Sequence, residues 1–257
     1  MELGLEDWWP WYHRIIETFG YDQAKDEYAA DLLSKLLAGK ALDPAVLRRR
    51  LADWVVLVFG AGPSLEENLK QVIHEGVLHE FATVVADGAT TAILQVAKAV
   101  PDVVVTDLDG IVSDILTAQK QGSIIVIHAH GDNIEQLERF VPEFSSAVGS
   151  TQVEPRPNVY NFKGFTDGDR AVFLASAMGA KAIVLAGMDF GSTVGKYSKQ
   201  KVKSLAVKRE KLKISRELLE WLAEKTKGSI DLYNMTANGE KIKGFQNIKP
   251  VDLKKLV

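Results

Sequence analysis

Five short apolar runs are spaced along the chain: WVVLVF (54–59), ATVVA (82–86), VVVT (103–106), IIVIH (124–128) and AIVLA (182–186). Continuous apolar runs of this length mark strands buried on both faces. Between them lie segments with helical spacing: LEENLKQVIHEGVL, the stretch from DGATT to Val100, IVSDILTAQKQG and IEQLERF. This alternation predicts an α/β fold with a doubly wound, mostly parallel sheet. Residues 142–165 break the rhythm. They are rich in Pro, Gly, Ser and Asn and read as a crossing loop, with one strand around Val159 to Phe162. AVFLASAMGA then reads as a small-residue helix and Ser204 to Lys227 as a long amphipathic one. The closing IDLYNMTANGEKIKGFQNIKP reads as strand plus loop. Residues 1–50 form a predicted N-terminal helical extension, carrying Trp8, Trp9 and Trp11, and residues 51–257 the α/β domain. The extension is expected to cap the domain; the alternative is that one of its aromatics reaches a substrate pocket.

Composition narrows the function. The 257 residues carry a net charge of −3, so no basic field exists to hold nucleic acid. There is no cysteine, which excludes disulfides and thiolate metal sites. The first twenty residues are acidic where a signal peptide would carry lysines, and no stretch approaches the length of a membrane span. A cytoplasmic enzyme acting on small molecules is expected, with no membrane partner and with homo-oligomerisation left open.

The polar residues fall where such a sheet places ligands. GAGPS, DGATT, TDLDG, HAHGDN and GMDFG each follow a predicted strand. In a parallel sheet these ends share one edge, where doubly wound folds bind ligands. Asp107 and Asp109 are the sharpest signal, because alternate carboxylates past a strand can face one cleft and hold Mg²⁺ beside substrate phosphates. The competing reading makes Asp109 the cap of a helix beginning near Ile111. Gly60 and Gly62 could let the backbone approach a phosphate, and Ser64 could line that site or cap the following helix. His128 and His130 alternate at a strand end, but no further ligand set supports zinc, and a hydrogen-bonding role at a phosphate is preferred for His130. Asp132 or Asn133 could cap the next helix. Thr166, Asp167, Asp169 and Arg170 open a helix with good capping chemistry; a functional reading adds a metal contact by Asp167 and a phosphate contact by Arg170. Asp189 is ambiguous. Lys196, Lys199, Lys201 and Lys203 could close over a polyphosphate or stay solvated.

GAGPSL, ADGA, PDVVVTDLDG, HAHGDN, GFTDGDRA, LAGMDFG and YNMTANGEKIKGF, in this order, resemble the archaeal 6-hydroxymethyl-7,8-dihydropterin diphosphokinase family from about Trp54 to Phe245. A more distant likeness is to the thiamine pyrophosphokinase catalytic domain. There Asp87-Gly88-Ala89, Thr106 to Gly110 and Thr166-Asp167 have counterparts, but Gly110 stands where that pattern has Ser and Thr106 where it has Gly. The same domain type occurs in flagellin-modifying glycosyltransferases. The resemblance implies a Rossmann-like fold and Mg²⁺-dependent transfer of diphosphate from ATP to the pterin hydroxymethyl group, releasing AMP, in folate or tetrahydromethanopterin biosynthesis. On this reading Asp107 and Asp109 hold the metal with Asp167, and Asp132 assists. Gly60, Gly62 and Ser64 line the phosphate region, with His130 beside them, and Arg170 and a loop lysine neutralise the polyphosphate. The pterin would sit near Asp87 or Asn234, whose side chains could pair with its amide edge, and Gly88 belongs to the same binding turn. Rivals are a thiamine pyrophosphokinase, a sugar-nucleotide glycosyltransferase and a nucleotide-binding regulator.

Overall fold

The apolar runs pair into one sheet. The computed structural model describes residues 3–191, 195–198, 204–236 and 241–256. Its strands are β1 (Val55–Phe59), β2 (Ala82–Ala86), β3 (Val103–Thr106), β4 (Ile124–Ala129), β5 (Val148–Thr151), β6 (Val159–Tyr160), β7 (Ala182–Ala186), β8 (Asp231–Asn234) and β9 (Gln246–Asn247). They lie in the order β6-β5-β4-β3-β2-β1-β7-β8-β9, and every described pair is parallel.

Residues alternate between the two faces of a strand. Val56, Val58, Val84, Val103, Val105, Ile183 and Leu185 enter one core. Val55, Leu57, Phe59, Val85, Val104, Ile125 and Val184 enter the other. Burying each such side chain contributes roughly 1.5–3 kcal/mol, which is why these runs read as uninterrupted apolar sequence. Helices α1 (Leu5–Phe19), α3 (Ala45–Leu51), α8 (Asp167–Ala177) and α9 (Leu205–Lys225) cover the first face. Helices α2 (Gln23–Leu36), α4 (Leu65–Glu75), α5 (Ala89–Ala92), α6 (Val112–Lys120) and α7 (Ile134–Phe140) cover the second. The fold is a Rossmann-like α/β architecture.

The chain winds outward from β1 to β6, returns through α8 across the opposite face, and enters β7 on the other side of β1. Strand order therefore reverses between β1 and β7, the place where doubly wound folds open a ligand crevice.

The segment 142–165 holds the strand expected around Val159, as β6, and also β5, where a loop was expected, with Val148 beside Val126 and Gly149 beside Val159. VGST is too short and too small in side chains to stand out as a strand; parallel pairing to β4 and the packing of α2 against it make it one. Among the described residues no helix is long and apolar enough to cross a membrane.

Candidate active site

Asp87 follows β2, and Asp107 and Asp109 follow β3. One oxygen from each lies within 4.8 Å of the others, and among the described residues this is the group with metal-ligand spacing. Three oxygen donors without sulfur or nitrogen suit a hard divalent cation such as Mg²⁺. The Asp87 carboxylate is buried and accepts from Thr106 Oγ1 at 2.5 Å and from Gly110 N at 3.3 Å. Asp107 Oδ2 lies 3.3 Å from His130 Nε2. His130 Nδ1 accepts from the Asp132 N–H at 3.2 Å, which leaves the ring proton on Nε2, aimed at Asp107.

Leu108 between the two acids has φ 65°, a left-handed conformation unfavourable for a branched apolar residue. Its N–H is held by Thr106 Oγ1 at 2.8 Å, and its side chain is buried in the core. Both flanking carboxylates line the cleft. Asp109 is not a helix cap: α6 begins at Val112, behind Ile111, with no capping side chain. A Cβ on Gly110 would collide with Asp87 Oδ1. That is a physical reason for glycine where the thiamine pyrophosphokinase pattern has serine.

The cleft measures 910 Å³ and is lined by loops after β1, β2, β3, β4 and β7 together with the start of α8. Asp167 opens α8. Burial, then the charge of Asp107, hold its carboxyl well above the usual range, against the pull of Arg170. Arg170 Nη1 lies 3.6 Å from Asp167 Oδ1, and its Nη2 donates to Gln152 Oε1 at 3.3 Å. Arg170 is only 6% exposed yet lines the cleft. Asp169, in the same first turn of α8, is committed to the fold. It accepts from Phe165 N at 2.6 Å, Thr166 N at 2.7 Å, Ser215 Oγ at 2.8 Å and Thr166 Oγ1, closing a capping box at the start of α8.

Several sequence-based expectations change here. Asp87 joins the carboxylate pair, whereas the sequence places it near the pterin; an acid at the end of the neighbouring strand is the signal for it. Asp167 lies close enough to be repelled by Asp107 but outside the 4.8 Å group. The N–H groups of Gly60 and Gly62 are already committed, to Ala186 O and Gly187 O, both at 2.9 Å. Gly62 is required because a Cβ would meet Gly187 O at 2.6 Å. These glycines line the cleft by fitting the β1 and β7 loops together, and not by offering those donors to a phosphate. Ser64 neither lines the cleft nor caps α4 with its hydroxyl; its Oγ donates to Asp189 Oδ2 at 2.7 Å. Asn234 is also outside the lining, its Oδ1 taken by Thr236 N at 2.9 Å. Gly88, His130 and Asp132 do line it. His128 is buried, bonded to Ser150 Oγ at 2.8 Å, and held neutral chiefly by that burial. Lys196 pairs with Glu66 at 3.2 Å away from the cleft. Lys199, Lys201 and Lys203 lie outside the described residues. The described cations that line the cleft are Arg170, Lys208 and Lys211; burial lowers the pKa of Lys208.

Other contributors were missed. Asn133 sits at the N-cap position of α7, but its side chain makes no capping bond: its Nδ2 donates to the Asp107 and His128 carbonyls, each at 2.8 Å, tying the β3 and β4 loops together. Asp26 on α2 is buried and accepts from Tyr12 Oη at 2.8 Å, Gln152 Nε2 at 2.8 Å and Gly131 N at 2.7 Å. It joins the N-terminal helices to the β4 loop and, through Gln152, to Arg170. Thr18, Phe19 and Tyr21 at the end of α1 line the cleft, whereas the tryptophans pack into the core. An N-terminal aromatic does reach the cleft, but no tryptophan does.

Residues 40–195 match the family described as 6-hydroxymethylpterin diphosphokinase MptE-like. Three archaeal relatives bear the name 6-hydroxymethyl-7,8-dihydropterin pyrophosphokinase. That of Pyrococcus furiosus is 46% identical over 88% of this chain and 96% of its own. Those of Methanothermobacter thermautotrophicus and Methanocaldococcus jannaschii are 46% and 38% identical over 86% and 87% of this chain and 95% and 97% of their own. The solved MAf glycosyltransferase from Magnetospirillum magneticum AMB-1 shares the fold, with TM-score 0.52 and 11% identity over 86% of this chain and 38% of its own.

Proposed function

The chain belongs to the 6-hydroxymethylpterin diphosphokinase MptE-like family, and from that premise we propose that it transfers diphosphate from ATP to 6-hydroxymethyl-7,8-dihydropterin. The observation that carries the reading is the cluster of Asp87, Asp107 and Asp109 at the edge where strand order reverses. Phosphoryl-type transfer rests mainly on positioning and charge neutralisation. Magnesium bound by those carboxylates would neutralise charge on the transferring phosphates.

The acceptor hydroxyl oxygen forms a bond to the β-phosphorus of ATP. The bond from the β-phosphorus to the oxygen bridging it to the α-phosphorus breaks, and AMP leaves with that oxygen. The hydroxyl proton passes to a carboxylate of the site or to water. Arg170 and Lys208 line the same cleft as the carboxylates and would neutralise the polyphosphate. His130 braces Asp107, and Asn133 braces the loop that carries it. Gly110 leaves space for Asp87. A place in folate or tetrahydromethanopterin synthesis follows from the product.

The test is incubation with Mg-ATP and 6-hydroxymethyl-7,8-dihydropterin, with mass spectrometry for AMP and the pterin diphosphate and thiamine run in parallel. Both products with the pterin alone are expected. AMP and thiamine diphosphate would reassign the acceptor, and no AMP from either would remove the diphosphokinase reading.

A further inference from the structure

The cleft has an aromatic wall that the phosphate chemistry does not use. Phe19 stacks on Tyr21 with centroids 5.5 Å apart and planes at 27°, and on Phe165 at 5.3 Å and 30°. Lys211 on α9 holds its ammonium 5.9, 5.4 and 5.5 Å from the Phe19, Tyr21 and Phe165 centroids. All four side chains line the cleft, and Phe19 and Tyr21 are half-buried. Among the described residues Lys211 has no carboxylate partner. Three rings from two distant parts of the chain thus meet on one side of the cleft, Phe165 buried behind the half-buried Phe19 and Tyr21, with a cation over them.

We propose that this wall is the ring subsite of the acceptor: it takes a fused nitrogen heterocycle bearing an exocyclic oxygen, with Lys211 donating to that oxygen. The proposal rests on the diphosphokinase reading above. Aromatic faces stack on any flat heterocycle, whatever its edge pattern. The edge is then selected by Lys211, which can only donate. A pterin offers such a donor a ring carbonyl, whereas adenine offers it only ring nitrogens, N1 and N7 beside an exocyclic amine. Position agrees as well. Phe165 stands two residues before Asp167, whose carboxyl feels the charges of Asp107 and Asp87. A ring on the wall can therefore extend its hydroxymethyl arm toward the carboxylate cluster. The subsite assigns the end of α1 to substrate binding.

Binding can be read without turnover. The probes are fluorescent 6-hydroxymethylpterin, titrated by emission, and α,β-methylene-ATP with Mg²⁺, titrated by calorimetry. The proteins are wild type, Phe19→Leu, Tyr21→Leu and Lys211→Met, each checked by thermal melting. Tyr21→Leu serves if Phe19→Leu weakens the end of α1. Phe19→Leu and Tyr21→Leu are expected to raise the pterin Kd by roughly tenfold and to leave the nucleotide Kd within about twofold of wild type. Lys211→Met should weaken pterin binding in the same sense, to a smaller degree. Unchanged pterin affinity in well-folded variants would overturn the proposal and make the wall packing only. Loss of nucleotide affinity with pterin affinity kept would overturn it in favour of adenine. Should wild type bind the pterin through the wall and yet release no AMP, the subsite would stand and the reaction assignment would fail.

Discussion

Two groups of aspartates sit in this molecule, and the fold treats them differently. Asp169 and Asp26 are buried and saturated: four donors converge on the first and three on the second. Their charge is answered by hydrogen bonds that belong to the fold. Asp87, Asp107 and Asp109 are instead gathered within 4.8 Å of one another at the rim of a cleft, beside a left-handed leucine and a glycine that no larger residue can replace without a collision. Like charges at that spacing repel, and a cation among them would relieve the repulsion. Asp87 and Asp107 also take donors, from Thr106, Gly110 and His130; what sets the cluster apart is that its oxygens also converge on one another at the cleft.

The contrast is sharpened by exchanging charge for amide on each side. Asp107→Asn and Asp109→Asn should each lower kcat/KM by roughly 10³-fold, with a melting temperature level with or above wild type. A melting temperature that falls with activity would place them in the saturated class. Asp169→Ala should do the reverse. With its donors left buried and unanswered, unfolding free energy should fall by about 3 kcal/mol, read by urea denaturation. Asp26→Asn stands between the two, since it holds Gly131 and Gln152 and through them His130 and Arg170. A loss of roughly tenfold in kcat/KM is expected, carried more by kcat than by stability.

The smallest effect is a pH dependence at Asp167, whose carboxyl is held well above its ordinary value, first by burial and then by Asp107. A carboxyl raised on folding contributes stability that is present below its unfolded pKa, about 3.9, and is lost as pH rises through the folded one. Without divalent ions, Asp167→Asn should therefore melt with wild type at low pH and above it as pH rises past that window. A gap that closes with rising pH would reverse the assignment.

The sheet was legible because its strands are buried on both faces and therefore read as unbroken apolar runs. The five runs coincide with β1, β2, β3, β4 and β7 to within a residue at each end. β5 was not legible, because VGST becomes a strand through its neighbours β4 and α2 and not through its own propensity. In the site, Asp107 and Asp109 could be read because alternation past a strand is a local pattern. Asp87 joins them only when β2 and β3 lie side by side. The N–H groups of Gly60 and Gly62 looked free for a phosphate because the β7 loop that takes them is more than a hundred residues away. Lys208 and Lys211, the lysines that line the cleft, sit in what reads as a solvated charge run. Phe19, Tyr21 and Phe165 meet across residues 19 to 165, a separation that no spacing rule covers.

The central claim is that the three clustered carboxylates hold the cation of diphosphate transfer. Its most direct test is a Mn²⁺ titration followed by electron paramagnetic resonance, with α,β-methylene-ATP present, on wild type, Asp87→Asn, Asp109→Asn and Asp169→Asn. Saturable binding that Asp87→Asn and Asp109→Asn weaken by roughly tenfold or more, and that folded Asp169→Asn retains, is the expected result. Mn²⁺ binding unchanged in both cluster variants would contradict the account.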